Sequence, residues 1–221
     1  MATLTPTPTP SPGPEQSVRL LPVPEAPAQA PLAGEPGLVG FPSFIVGAVA
    51  FGMVLIGVVP ATAVGAAIPI ILTAAAGMFV ATIWAARIGE SASAGISGIV
   101  GSFFLSYSLL VLGLTHGWYG IAPAAVADTQ KVFVISWLVI VTMLVLGTLR
   151  LPSTFTLLFT LADVALLLNL LGVIQSSANL AKAAGWFVIA AAAVVMYLFF
   201  GSASHATGGK ELPLGRPLLR T

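Results

Sequence analysis

The chain of 221 residues is 57% hydrophobic and 7% charged, with a mean hydropathy of +1.04, which excludes a water-soluble domain because soluble helices need a charged outer face. A net charge of +1 offers nucleic acid no basic surface, and the absence of cysteine removes disulfides, thiolate metal sites and cysteine nucleophiles. Between Glu35 and Lys210 the only charged residues are Arg87, Glu90, Asp128, Lys131, Arg150, Asp163 and Lys182; all but Asp163 stand at breaks between apolar runs, so the solvent of this stretch is lipid.

Residues 1–36 hold ten of the 17 prolines, including Pro6, Pro8, Pro10 and Pro12 in alternation. Such a segment lacks amide donors and apolar periodicity, and reads as an extended, disordered tail; a proline-recognition role is the alternative. The first apolar run starts near Phe41 without a basic leader, so it reads as a retained helix rather than a signal peptide.

Six membrane spans are expected near 41–59, 65–86, 94–114, 132–149, 152–174 and 182–200, each close to the ~20 residues that a hydrocarbon core requires. Pro60-Ala61-Thr62 divides the first two as a tight hairpin, and Pro42 and Pro152 fall in first helical turns. Gly201-Ser202 and Gly208-Gly209 are expected to loosen the chain after the sixth span, leaving a short basic tail over 205–221.

The fold class is therefore all-α, a six-helix membrane domain over 37–204. With both termini in the cytoplasm, the inner segments carry Arg19, Arg87, Arg150, Lys210, Arg216 and Arg220, against Lys131 and Lys182 outside, as the positive-inside rule requires. Trp118, Tyr119 and Trp186 suit the outer aromatic belt.

Small residues recur every four positions in two spans: Thr73, Gly77, Ala81 and Ala85 in the second, and Ala94, Gly98, Ser102 and Ser106 in the third. Such ridges let helix backbones approach closely; the other reading is that small side chains leave room for a pore.

The third span opens with Gly89-Glu90-Ser91 and contains Gly101-Ser102-Phe103-Phe104-Leu105. These stretches resemble the acetate uptake transporter (succinate–acetate permease) family, where they read G-N-T and G-S-F-W-L at the same separation. Trp137, Gly147-Thr148-Leu149-Arg150 (G-T-L-K in the family), Ala184-Gly185-Trp186, Tyr197 and Leu212-Pro213-Leu214-Gly215 follow in the family's order. The family's opening N-P-A-P-L-G-L is shortened here to Glu35-Pro36-Gly37-Leu38-Val39-Gly40-Phe41. The resemblance covers about residues 35 to 216. It implies a plasma-membrane channel or transporter for small monocarboxylates such as acetate, assembled as a homo-oligomer, a hexamer, with one pathway per protomer and no cofactor. It also implies a constriction at Phe41, Val100 and Leu161, where the family places Phe, Tyr and Leu. Valine in place of tyrosine removes a hydroxyl and widens the neck.

The residues carry a second candidate. Ser153, Thr156, Thr160 and Asp163 share one helical face from the inner end to mid-membrane. They read either as a hydrated half-channel ending at a proton-sensitive carboxyl or as a packed carboxyl bonded to Thr160 or a neighbouring helix. Ser102, Ser106 and Tyr107 offer hydroxyls to a solute, although the serines read first as packing residues. Asn169 lies off this face and reads as a helix bridge. His116 and His205 have no partner at metal-ligand spacing, so no metal site is expected, and no nucleophile, base and orienter combination suggests catalysis. A channel for small neutral solutes such as amides or urea, and a non-transporting scaffold of the same fold, are the other functions compatible with these residues.

Overall fold

The computed structural model describes residues 34–210 and 212–219. The proline-rich segment expected over 1–36 thus lies, except for its last three residues, outside the described residues. Among the described residues there are six long helices and no strand: α1 (Gly37–Ile56), α2 (Ile68–Arg87), α3 (Ser91–His116), α4 (Val126–Thr148), α5 (Ser153–Ile174) and α6 (Ala178–Ala206). Short 3-10 turns at Ala61–Ala67 and Pro123–Ala125 precede α2 and α4. All six helices are long and apolar enough to cross a membrane. Helices satisfy every backbone amide internally, which is what hydrocarbon demands.

The helices pack in the order α3, α2, α1, α6, α5, α4, with the seam between α3 and α4 only sparsely closed by backbone approach. Glycines decide where backbones come nearest. A Cβ at Gly185 on α6 would lie 2.9 Å from Gly52 O and from Ile56 N of α1. A Cβ at Gly40 would sit 3.2 Å from Ala81 Cβ, and one at Gly47 would sit 2.8 Å from Ala74 Cβ, so the second span's small residues serve α1. On α3 the close approach to α2 runs through Gly101, whose Cβ would meet Met78 Cβ at 3.1 Å. Gly98 faces Thr82 less tightly, at 3.4 Å, and nothing lies within 4 Å of a Cβ at Gly95. Dispersion between closely fitted helices is the main attraction available, since lipid supplies no hydrophobic force between them.

Several boundaries differ from the sequence reading. Helix α4 begins at Val126 rather than near 132, and its first turns carry an ion pair between Asp128 and Lys131 at 2.9 Å. Those charges need only water at the membrane face, so they do not stop a helix. Pro42 lies in the second turn of α1, where its ring forfeits a backbone hydrogen bond. Helix α6 continues through Gly201, which is buried against Leu212, and takes His205 into its last turn.

The C-terminal segment is also tied down. Thr154 donates through its backbone amide and its Oγ1 to Leu214 O at 3.2 and 2.7 Å, and Tyr197 Oη donates to Pro213 O at 2.8 Å. The amides of Leu218 and Leu219 donate to Leu149 O at 3.1 and 2.9 Å. The segment therefore straps the α4–α5 turn and the start of α5.

Candidate transport pathway

Three cavities line up between the helices. The first vestibule, about 490 Å3, opens at the end where α1, α3 and α5 begin and α6 ends; its wall includes Glu35, Phe41, Glu90, Ser97, Val100, Phe155, His205 and Leu214. The second, about 600 Å3, opens at the opposite end and includes Val54, Tyr107, Thr115, Gln130 and Val173. Between them lies a chamber of about 70 Å3, built by α1, α3, α4, α5 and α6, whose wall presents no polar atom. Phe44, Val100 and Phe159 belong to both the first vestibule and the chamber. Phe51, Phe103, Leu166 and Asn169 belong to both the chamber and the second vestibule. The chamber thus lies against each vestibule across a junction, a partition of mostly apolar side chains that line both spaces.

Aromatic rings build the second junction. Phe103 lies 5.5 Å from Phe51 and 5.3 Å from Trp137, both edge-on, and 5.9 Å from Phe133, measured between ring centroids. Edge-to-face pairs at such spacings are worth about 0.5–1.5 kcal/mol beyond burial in water-soluble cores. Here they bridge α3 to α4 across the seam that backbone approach leaves open.

The constriction residues inferred from resemblance part company. Val100, buried on α3, stands between the first vestibule and the chamber. Phe41 lines the first vestibule, one α-helical turn outside that junction. Leu161 packs against the main core and lines none of the three cavities; its neighbours Leu158, Phe159 and Ala162 are among the residues that α5 presents there.

The polar stripe on α5 turns elsewhere. Thr156 is buried and donates to Thr148 O of α4 at 2.9 Å, while exposed Thr160 returns its hydroxyl to Thr156 O at 2.8 Å. Asp163 Oδ1 accepts from Thr142 Oγ1 of α4 at 2.8 Å. None of the three lines a vestibule or the chamber. Ser102 and Ser106 return their hydroxyls to Gly98 O and Phe103 O. Ser102 faces an outer groove between α3 and α4 together with Gly95, Gly98, Ser136 and Ile140.

Two sets of residues escaped the sequence reading. Phe44, Phe51, Phe103 and Phe159 form the junctions, and only the seven-residue spacing of Phe44 and Phe51 and the aromatic repeat Phe103/Tyr107 hinted at a shared face. Asn169, expected to bridge helices, instead stands at the mouth of the chamber.

A family model described as the GPR1/FUN34/yaaH family matches residues 19–208. The chain belongs to that family. It is the acetate uptake transporter family to which the third-span and C-terminal motifs pointed. A solved structure described as that of the bacterial acetate channel SatP superposes with a TM-score of 0.72 at 22% identity, over 83% of this chain and 99% of that one. At that identity the match establishes a shared fold. No curated protein sequence matches this member of the GPR1/FUN34/yaaH family.

The Asp163 geometry yields an expectation. Thr142 Oγ1 carries one hydrogen and faces two acceptors, Leu138 O and Asp163 Oδ1, each at 2.8 Å. An asparagine at 163 supplies the missing donor. Asp163→Asn should therefore keep the thermal midpoint in detergent, whereas Asp163→Leu should lower stability by about 0.6–1.7 kcal/mol, the range for interhelical bonds in membranes. Thermal melts followed by size exclusion report both, and a less stable Asp163→Asn would show that the carboxyl has a role other than pairing with Thr142.

Proposed function

We propose that the protein is a plasma-membrane channel or transporter that passes small monocarboxylates such as acetate through each protomer. The observation that carries this reading is the series of spaces itself: two vestibules of about 490 and 600 Å3 flank an apolar chamber and share wall residues with it, an arrangement that suits a pore gated by drying. The similarity to a protein described as an acetate channel supports the substrate class. Uptake of radiolabelled acetate into proteoliposomes tests it, with protein-free vesicles measuring the leak of acetic acid through lipid. Uptake no faster than that leak would overturn the monocarboxylate reading, and acetamide uptake would then separate a channel for neutral solutes from a non-transporting scaffold.

Assembly belongs to the same proposal. Val58, Val132, Val139, Trp186 and Phe200 are more than half exposed in the single chain, which lipid or neighbouring protomers would cover. A homo-oligomer, hexameric by family resemblance, would use the small-residue groove at Gly95, Gly98 and Ser102 as one such contact.

The orientation follows from the basic residues. The first vestibule would face the cytoplasm, and the Trp118 loop the outside. Single cysteines at Leu218 and Gly120 in this cysteine-free chain should react with an impermeant maleimide only from the inside and only from the outside, respectively. The reverse pattern in intact cells would invert the topology.

A further inference from the structure

We infer that the solute crosses the chamber uncharged, as an undissociated monocarboxylic acid or its primary amide, and that Asn169 is the side chain that reads it. This rests on the transport reading above and specifies which species it carries.

The pathway's own groups set the argument. An anion entering a dry chamber needs a cation or several aimed donors to replace its water, and a lone charge at mid-membrane is disfavoured by about a hundredfold or more in partitioning. Among the described residues no lysine or arginine lines either vestibule or the chamber. Lys182 stands outside the lining, with its Cε 4.0 Å from a Cβ position at Gly57, a residue of the second vestibule. The first vestibule instead carries two carboxylates, Glu35 and Glu90, with His205 as its other titratable side chain. An anion would thus meet two carboxylates at one mouth and no cationic side chain within the chamber.

Asn169 sits where the solute must shed water, shared by the second vestibule and the chamber. Asn169 is the one residue with a side-chain amide among the residues that line both spaces. A carboxamide both donates and accepts. It can therefore form a paired, two-bond contact with a carboxylic acid or a primary amide, each of which also donates and accepts. A carboxylate offers only acceptors, so it would leave the Asn169 carbonyl oxygen unmatched as water leaves. The apolar walls beyond, at Phe51, Phe103 and Leu166, then suit a methyl group.

The test uses the full chain in proteoliposomes and planar bilayers. Acetamide uptake should exceed that of protein-free vesicles by about tenfold or more, and Asn169→Leu and Asn169→Ala should remove most of the excess, with Asn169→Gln restoring part of it. Symmetric sodium acetate across the bilayer should give no protein-dependent current at any applied voltage. An acetate-dependent current would overturn the uncharged species while leaving the transport reading standing. Wild-type acetamide flux in folded Asn169→Leu and Asn169→Ala proteins would overturn the role of Asn169. If neither acetamide nor acetate moves faster than through bare lipid, transport itself fails and this inference falls with it.

Discussion

Val100→Trp should reduce solute flux to the level of protein-free vesicles, a loss of about tenfold or more, while the protein still folds. Val100 belongs to both the first vestibule and the chamber, and the chamber holds only about 70 Å3. The extra volume of an indole over an isopropyl group is of the same order, so the ring would fill the chamber rather than narrow it. The packing penalty should stay within about 1–3 kcal/mol, because the ring enters existing space. Val100→Ala should act in the opposite direction, widening the junction and raising flux. Stopped-flow uptake, with circular dichroism to show that helix content is kept, measures both. Full flux in a folded Val100→Trp protein would move the pathway elsewhere, to the α3–α4 groove or to the axis of an oligomer.

The second large effect concerns the fold. Gly185→Leu should prevent recovery of a monodisperse protein in detergent. A Cβ there would already lie 2.9 Å from two backbone atoms of α1, Gly52 O and Ile56 N, and 2.7 Å from Ile56 Cγ1. Backbone cannot turn away as a side chain can, so α1 and α6 must separate along their most extensive contact. Gly185→Ala presents the same first carbon and should lower stability by about 1–3 kcal/mol, the usual cost of overpacking. Gly95→Ala, where nothing lies within 4 Å of the added carbon, is the matched control and should leave the single protomer's stability unchanged. A Gly185→Ala protein that melts with the wild type would show that the helices have slack at this crossing.

The spans were legible because crossing hydrocarbon is a local requirement. About 20 consecutive apolar residues satisfy it whatever their neighbours do, so six runs in the sequence became six helices. Boundaries were less legible: Asp128 and Lys131 looked like a break but occupy α4, since a helix tolerates paired charges once it leaves the bilayer. Gly201 looked like a hinge but is a packing site for Leu212, and the tail beyond it is strapped to Leu149 and Thr154. Motif order was enough to indicate the family, whose model then matched residues 19–208.

The site was legible only in part. Val100 was reached through a motif position and lies at a junction of the cavities, whereas the α5 stripe of Thr156, Thr160 and Asp163 turns away from them. In a soluble helix, polarity separates the outer face from the core, and periodicity reveals which is which. In a membrane both the lipid and the protein interior are apolar, so the pattern on a helix such as α5 carries little information about direction. A lone carboxyl there attracts attention by its cost, but its position in the sequence does not say whether it meets water or Thr142. By itself the sequence determined the six spans, the all-helical class and the family, because each depends on local composition or on residues in order. Only the tertiary structure decided which faces of α1, α3 and α5 meet, and with them the aromatic junctions, the apolar chamber and the place of Asn169 at its mouth, because those depend on how helices rotate about their own axes when glycines let them touch.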